Sequence, residues 1–208
     1  MQHQQAGFTI REAQPVDYPG AIEALTDAFS TDPVMIEAFG GAMDRAKLTE
    51  LLKFQVNTTY APKGKIDVAV DDNNTVLGAS LWVDPQGQKG GMISDVMRFP
   101  RFAKILGSSI VSASKLELRL WAARPRFDHW YLYTIGVRAG QRSRGIGAGL
   151  LDYRLNRLGG YPAYLEASTH RSAALYRRHG FIDLGEFPSG KPALGMWYPV
   201  PDQTSPEA

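Results

Sequence analysis

The sequence feature that most constrains the fold is a glycine-rich turn between a strand and a helix. A run rich in β-forming residues, 129–137, leads almost directly to the turn glycines Gly145 and Gly147. The helix that follows ends at a second pair of glycines, 159–160, and a short strand covers 161–167. A strand, a glycine turn, a helix and a second strand form a crossover unit, which places its two strands parallel.

The rest of the chain predicts further strands and helices around this unit. In the first half we expect a strand at 8–11, helices over 15–29 and up to about 60, a hairpin of strands at 65–70 and 75–83, a loop at 85–91, and a helical stretch at 92–122 that is broken near Pro100. After the crossover unit, a helix at 171–179 and two strands from Phe181 follow. This order predicts an α/β fold (α+β, with a mixed sheet) whose front half is antiparallel.

Length and composition predict one packed domain. The chain has 208 residues, of which 44% are apolar and 21% are charged, so it can bury a sizeable core. We expect the domain to span 8–200, with flexible termini at 1–7 and 201–208. The sequence contains no cysteine, which excludes disulfides, thiolate metal sites, iron–sulfur clusters and a cysteine nucleophile. We expect no metal site.

The sequence shows no sign of a membrane segment. Its most apolar stretch, 105–111, includes Gly107, Ser108 and Ser109 and is far shorter than the ~18 residues that a membrane span requires. The first five residues lack the basic and apolar regions of a signal peptide. We therefore expect a cytoplasmic protein, which the absence of cysteine also fits.

Positive charge is concentrated in one segment. The formal net charge is only +2, but residues 119–180 contain eleven arginines, no lysine and three acids. Such a block usually has an anionic partner, and the planar guanidinium group suits phosphate better than an ammonium group does. A solvated basic surface is the alternative. Nucleic acid is disfavoured as a partner, because the charge is confined to one segment and no nucleic-acid-binding motif accompanies it.

The glycine turn has the chemistry of a phosphate site. The first amides of a helix lack partners and lie at the positive end of the helix dipole, and glycines let a ligand approach them closely. The turn is not a Walker loop, because Gly147 is followed by Ala148 and not by lysine. Its position late in the chain, after a hairpin, disfavours a dinucleotide-binding fingerprint. Taken alone, the motif fits a tight turn without a ligand equally well.

Three sequence blocks together resemble the GCN5-related N-acetyltransferase (GNAT) family. They are Ile135-Gly136-Val137, Arg142-x-x-Gly145-x-Gly147 and Leu175-Tyr176-x-x-x-Gly180-Phe181. Within the family, the runs 130–137 and 163–168 look most like the puromycin N-acetyltransferase branch. The resemblance covers about 129–182, and the front half matches only in length and element order.

The resemblance implies a GNAT fold and a cofactor, acetyl-CoA, which in this family lies where two central parallel strands splay apart. The first of these strands would pair with the pantetheine arm, and the glycine turn would hold the pyrophosphate. The implied cofactor-binding residues are Ile135, Gly136, Val137, Arg142, Ser143, Arg144, Gly145, Ile146, Gly147, Ala148, Ser172 and Tyr176. One departure is that many relatives have an asparagine where this chain has Thr169, and the puromycin-like branch has one where it has Ser172. A hydroxyl at Ser172 could still bond the cofactor.

Two residues are candidates for catalysis. When an amine attacks a thioester, a thiolate leaves, and a nearby phenol with a pKa of ~10 can protonate it. Tyr176 occupies that position in the family pattern, and its alternative is a half-buried tyrosine bonded to the backbone. Glu166, near the end of an otherwise apolar strand, is the candidate base, because a buried carboxylate must be paired or functional. Its alternative is an ion pair with an arginine; His129 and His170 are weaker candidates.

The acceptor implied by the family is a primary amine of a small molecule. An aromatic-rich acceptor side would suit a bulky amine such as an aminonucleoside antibiotic, although the rings can also be core; they are Phe29, Phe39, Phe54, Trp82, Trp121, Trp130, Tyr133 and Trp197. A protein lysine or N-terminal acetyltransferase is an alternative, since the front half carries surplus acid. A non-catalytic acyl-CoA-binding module is another, against which Tyr176 argues. We expect a monomer or homodimer without nucleic-acid or membrane partners.

Overall fold

A computed structural model describes residues 3–5, 7–88, 91–186 and 194–200. The strands are β1 (His3–Gln5), β2 (Phe8–Glu12), β3 (Gly64–Val70), β4 (Val76–Val83), β5 (Trp130–Val137), β6 (Ala163–Ala167), β7 (Ile182–Glu186) and β8 (Leu194–Tyr198). The helices are α1 (Tyr18–Phe29), α2 (Pro33–Ala38), α3 (Arg45–Gln55), α4 (Ala61–Lys63), α5 (Pro85–Gln88), α6 (Gly91–Leu106), α7 (Ile110–Ala123), α8 (Ile146–Leu155) and α9 (His170–Arg178). Within these ranges, none of the helices combines the length and the apolar character needed to cross a membrane.

The strands form one mixed sheet in the order β1-β2-β3-β4-β5-β6-β8-β7. β5 and β6 are parallel, whereas the other neighbouring strands in this sheet are antiparallel. The parallel pair arises because the chain crosses over through α8 between β5 and β6. The predicted α/β fold with an antiparallel front half and a parallel central pair is confirmed.

The two central strands separate soon after they pair. The parallel register ends at Leu132↔Leu165, three residues into β5. The β4–β5 register shifts beside Tyr133, where a β-bulge bends β5. β5 nevertheless continues along β4 as far as Val137. Its other edge, from Tyr133 to Val137, therefore has no strand partner among the described residues.

Helices cover both faces of the sheet because strand side chains alternate between them. In β3, Val68 and Val70 pack in the cluster that contains α1 and α3, while Ala69 packs with α8. α1 approaches β5 so closely that a Cβ at Gly136 would lie 2.7 Å from Ala28 Cβ. Gly136 is therefore required for packing between helix and sheet.

A buried ion pair fixes α8 to the sheet. Arg154 of α8 donates from Nε to Asp67 of β3 at 2.9 Å and from its terminal nitrogen to the other carboxylate oxygen at 2.5 Å. Both side chains are almost completely buried. Burial raises the pKa of Asp67, while Arg154 opposes that rise. The pair holds α8, and with it the turn before α8, in a defined position on β3.

Two local predictions in the first half are corrected by the structure. The expected break at Pro100 is wrong, because α6 runs through it to Leu106. Proline has no amide hydrogen to donate, but the helix continues through it. The interruption falls instead at Gly107, which has a φ of 56°. Within the expected loop 85–91, the first four residues form α5.

The two termini differ in what the structure describes. His3–Gln5 pair with β2 as strand β1, inside the segment that was expected to be flexible. Residues 201–208 lie outside the described residues. The single domain over 8–200 stays a prediction.

Candidate active site

The splay between β5 and β6 opens into a cavity of about 720 Å³. β5 from Tyr131 to Val137 and the end of β6 line its centre. The turn before α8 and helix α9 line one end, while α2, α3, α6 and α7 line the other. Open α/β sheets bind ligands where central strands separate at their carboxyl ends.

Nearly all of the predicted site residues line this cavity. They are Ile135, Gly136, Val137, Arg142, Ser143, Gly145, Ile146, Gly147, Ala148, Glu166, Ser172 and Tyr176. Arg144 is the exception. Its guanidinium donates a hydrogen bond to the side chain of Gln141 and lies toward Gly7, on the surface outside the cavity. The structure thus brings the contiguous motifs together but leaves Arg144 out.

The turn between β5 and α8 presents amides that have no partner among the residues the structure describes. Gly145, the residue before α8, has a φ of 82°, and Ser143 has a φ of 65°. These left-handed conformations turn the chain sharply into the helix. No side chain of the described residues caps α8. The first-turn amides of Ile146, Gly147 and Ala148 are therefore available to an anion.

Tyr176 is a buried phenol in the wall of the cavity. It is 7% exposed, and its ring packs 5.8 Å from that of Phe181. The described residues form no hydrogen bond with its hydroxyl, so the structure does not show the alternative of a backbone-bonded tyrosine. Burial, together with the nearby Asp32 carboxylate, raises the pKa of Tyr176 well above its ordinary value. The phenol therefore keeps its proton.

Glu166 lines the cavity, but its carboxylate also has two protein partners. The Tyr131 hydroxyl donates to Oε2 at 2.7 Å, and the Arg124 Nε lies 3.4 Å from Oε1. Burial raises the pKa of Glu166, whereas Arg124 and Tyr131 oppose that rise. The structure is compatible with both roles considered for Glu166, the ion pair and the catalytic base, because the residue is paired with an arginine and also lines the cavity.

Arg124, the arginine partner of Glu166, is one of the residues near the site that sequence reasoning missed. Its guanidinium lies 4.1 Å from the ring centre of Tyr131, donates to the Tyr131 hydroxyl at 2.8 Å and lies 3.3 Å from Glu117. It is 42 positions away from Glu166 in the chain. As one of eleven arginines in its segment, it carried no distinguishing signal except that a buried Glu166 requires a cation.

Ser172 and His129 have structural surroundings. Ser172 Oγ donates to the Thr169 carbonyl at 2.9 Å, and Thr169 Oγ1 accepts from the Ser172 amide at 3.1 Å. Ser172 therefore takes part in capping α9, in addition to lining the cavity. His129 is buried, with Nδ1 2.6 Å from the Phe127 carbonyl. Neither His129 nor His170 is among the residues that line the cavity.

The end of the cavity remote from α8 is a mainly apolar chamber. Its apolar walls come from α2, α3, α6 and α7 and include Met35, Leu51, Phe102, Leu106, Ala113, Leu116 and Leu120. Gln55 and Tyr133 add a polar spot, where the Gln55 amide donates to the Tyr133 hydroxyl at 2.6 Å. Burial raises the pKa of Tyr133 to about 12. Gln55 Oε1 and Thr134 Oγ1 are buried without a partner among the described residues.

Most of the aromatic rings expected on the acceptor side lie elsewhere. Phe29 and Tyr133 line the cavity. Trp82 and Trp130 are buried in a separate core cluster, and Trp121 is 66% exposed. The chamber is therefore formed by aliphatic side chains more than by rings.

Helix α2 closes one side of the chamber and is fixed at both ends. Asp32 caps the helix by accepting from the amides of Val34 and Met35, and its second oxygen accepts from Ser168 just beyond β6 at 2.5 Å. At the other end, Glu37 pairs with Arg119 of α7 at 2.5 Å. Helix α2 therefore spans the gap between the end of β6 and α7.

Comparisons with known proteins agree with this geometry. Residues 110–181 match the model of the acetyltransferase (GNAT) family. The chain is similar to a solved structure from Corynebacterium glutamicum, described as histone acetyltransferase HPA2 and related acetyltransferase. The two are 34% identical with a TM-score of 0.74, over 96% of this chain and 99% of that one.

Two more distant structures share the fold. The GNAT family N-acetyltransferase YhbS from Escherichia coli, solved in complex with CoA, is 18% identical with a TM-score of 0.56, over 97% of this chain and 86% of that one. A polyamine N-acetyltransferase from Drosophila melanogaster is 14% identical with a TM-score of 0.55, over 91% and 98%.

A mixed sheet with a splayed parallel pair, a glycine turn with open amides at the start of a helix, and a buried tyrosine beside them are features of the class of CoA-dependent acyltransferases. The chain belongs to the GNAT acetyltransferase family and is an acetyl-CoA-dependent N-acetyltransferase. The resemblance to the puromycin branch stays a prediction.

Proposed function

We propose that this enzyme transfers the acetyl group of acetyl-CoA to the primary amine of a small molecule with an apolar body, by direct attack in a ternary complex. The observation that carries the proposal is that the cavity is continuous. It joins the turn before α8 to the apolar chamber, and Tyr176 and Glu166 lie along it. Two ligands that fill its two ends would bring their reacting groups together between the splayed strands.

The residues at the α8 end fit acetyl-CoA. The open amides of the first turn of α8, with Arg142 beside them, would hold the pyrophosphate. The unpaired β5 edge from Tyr133 to Val137 would hold the amide-containing pantetheine arm, in the way that a sheet edge accepts an added strand. Within the part of the chain that the structure describes, no residue is shown bonding to these groups, which is the fit that the cofactor requires.

The catalytic roles follow from the surroundings of each residue. Acetyl-CoA supplies a thioester carbonyl, which the amine attacks as the CoA thiol is released. Tyr176, kept protonated by burial, would donate the proton of its hydroxyl to the departing sulfur. Glu166 would accept the proton of the amine, directly or through a water molecule. Arg124 and Tyr131 would orient the Glu166 carboxylate and favour its ionised form.

The acceptor chamber supports a small molecule over a protein chain. Its walls include α2, which is fixed at both ends, so a lysine on a folded protein would have to pass between helices to reach Glu166. Aminonucleoside antibiotics combine an amine with a bulky apolar body, and the resemblance to the puromycin branch supports this class. We further propose that the enzyme confers antibiotic resistance, acts in the cytoplasm, and is active as a monomer or homodimer.

A protein acetyltransferase is the second candidate. The relative from C. glutamicum is described as histone acetyltransferase HPA2 and related acetyltransferase. In this chain the carboxylate of Glu117 lines the cavity and is 59% exposed, so it could meet a basic peptide.

A turnover screen separates these candidates. Acetyl-CoA is supplied with aminonucleosides, other amine antibiotics, arylalkylamines, polyamines or peptides with a free lysine or N-terminus, and the release of free thiol is followed. We expect the highest kcat/KM with a small amine that has an apolar body. Highest kcat/KM with a peptide would favour the second candidate. CoA binding without thiol release for any amine would indicate an acyl-CoA-binding module.

A further inference from the structure

Two arginines of α9 line the cavity although the sequence analysis gave them no role. Arg171 and Arg178 lie one helical turn before and after Leu175, on the face of α9 that borders the cavity. Leu175 reaches the start of α8, since a Cβ at Gly147 would lie 3.6 Å from Leu175 Cδ2. Arg171 and Arg178 therefore flank, along α9, the residue that contacts the turn before α8.

These two arginines differ from most others in the basic segment. Arg119, Arg124, Arg138, Arg154 and Arg177 each have a carboxylate partner. In the part of the chain that the structure describes, no carboxylate forms an ion pair with Arg171 or Arg178. Both are exposed, so they place uncompensated positive charge at the rim of the cavity.

Their position matches one chemical group of the cofactor. The pyrophosphate of CoA would be satisfied by the α8 amides and Arg142, as proposed above. The remaining strong anion of CoA is the phosphomonoester at the ribose 3′ position. It belongs to the nucleotide end of the molecule, far from the thioester, and must therefore lie toward the outer end of the cavity, where these exposed arginines are found.

We propose that Arg171 and Arg178 bind the 3′-phosphate of CoA, an inference that rests on the proposed function. A guanidinium group matches two phosphate oxygens with parallel N–H donors, which gives a charge-assisted pair with defined geometry. The arginines thereby make the enzyme selective for CoA thioesters. Dephospho-CoA and acyl groups carried on phosphopantetheine alone lack this phosphate, so they are disfavoured as donors.

Calorimetric binding of CoA and dephospho-CoA to the full chain tests the proposal without any acceptor amine. The variants are Arg171→Gln, Arg178→Gln and the double substitution. Arg177→Gln is the matched control, because Arg177 lies on the same helix, is exposed, and pairs with Asp183 outside the cavity. We expect the parent to bind CoA at least about 10-fold more tightly than dephospho-CoA, as loss of a charge-assisted hydrogen bond predicts.

The outcomes separate this inference from the function on which it rests. The double variant should bind both compounds with nearly equal affinity, close to that of the parent for dephospho-CoA, while Arg177→Gln should keep the preference of the parent. Equal affinity of the parent for both compounds, or a preference that survives the double substitution, overturns the role of the two arginines and leaves CoA binding intact. Binding of neither compound to the parent overturns the proposed function and this inference with it.

Discussion

At the scale of single residues, Gly147 is a position where a substitution can affect ligand binding without disturbing the fold. It lies in the first turn of α8 and lines the cavity. A Cβ at this position would make an ordinary contact of 3.6 Å with Leu175, so the fold has room for a side chain. Gly145 is different, because its φ of 82° would strain any other residue. Substitution of Gly147 therefore tests ligand binding with a smaller effect on the fold than substitution of Gly145 would have.

Gly147→Val should weaken CoA binding by at least about 100-fold, because the added side chain blocks the approach of pyrophosphate to several charge-assisted hydrogen bonds. Titration calorimetry measures the change. Gly140→Val is the control, since Gly140 lies in the same connection outside the cavity lining and a Cβ there would meet nothing within 4 Å. Unchanged CoA affinity in Gly147→Val would contradict the assignment of the turn.

Tyr176→Phe should keep the affinity for CoA and lower kcat by ~10²–10⁴, the usual effect of losing a general acid. The reason is that phenylalanine preserves the packing against Phe181 and removes only the hydroxyl. Steady-state kinetics and calorimetry on one preparation give both quantities. A kcat within a few-fold of the parent at every pH would remove this tyrosine from the mechanism.

Glu166→Gln should lower turnover most at pH values below the pKa of the acceptor amine and above the raised pKa of Glu166. In that window the amine is protonated and Glu166 is ionised, so a base is both needed and available. Above the amine pKa, the rates of parent and variant should converge. A pH–rate profile measures this, and equal turnover throughout the window would exclude Glu166 as the base.

The stability of the same variant tests the structural role of Glu166. Because its folded-state pKa is raised, the folded protein binds this proton more tightly than the unfolded chain does. Its contribution to stability is present at low pH and is lost as the pH rises through the folded-state pKa. Glu166→Gln should remove this trend in the melting temperature. A changed melting temperature with an unchanged shape of the pH–rate profile would make the residue structural only.

At the scale of elements, the position of the turn before α8 depends on how α8 is held. Arg154 and Asp67 anchor the body of the helix to β3, and Ile146 at its start packs with Phe8 and Leu77 beneath it. The turn is therefore fixed from the buried side, which leaves its amides free on the cavity side. Preorganised donors of this kind bind an anion without a further cost of ordering the chain.

Asp67→Asn should lower the free energy of unfolding by about 3–5 kcal/mol, because it leaves the buried Arg154 without a counter-charge. Urea denaturation at neutral pH measures this loss. The control is Asp183→Asn, which breaks the exposed pair with Arg177 and should cost less than about 1 kcal/mol. A similar small effect of both substitutions would show that the buried pair does not anchor α8.

At the scale of the whole molecule, the cavity belongs to no single element. The turn before α8 comes from the crossover unit, whereas the acceptor chamber comes mainly from α2, α3, α6 and α7 of the first half. A ligand that spans β5, α8 and α9 stabilises only the folded arrangement of these elements, because the unfolded chain does not hold them together.

CoA at about 100 times its dissociation constant should stabilise the protein by about 2.7 kcal/mol. For a chain of this size that corresponds to a rise in melting temperature of about 5–10 °C. Differential scanning calorimetry with and without CoA measures the shift, and Gly147→Val should show little of it at the same CoA concentration. The lack of a shift in the parent at saturating CoA would contradict cofactor binding by the folded chain.

The sequence by itself determined the crossover unit and the α8 end of the cavity. The β-rich run, the glycine turn and the leucines of the following helix are contiguous, and their conformations depend mainly on local hydrogen bonding and on the periodicity of apolar residues. Because a helical crossover places its two strands in parallel, the parallel pair and the open amides of Gly147 and its neighbours could be predicted without the rest of the fold, whereas the splay of the pair was implied only by the family resemblance.

Only the tertiary structure decided what surrounds these motifs. The bond between Asp32 and Ser168 joins residues 136 positions apart, and the contact of Arg124 with Glu166 joins residues 42 positions apart. The tertiary structure also leaves Arg144 outside the cavity and places Arg171 and Arg178 in the cavity lining. Most of the aromatic rings lie in the core or on the surface. Sequence periodicity fixes which face of an element is buried, but the partner of a side chain depends on how distant elements pack, and that packing is a property of the whole chain.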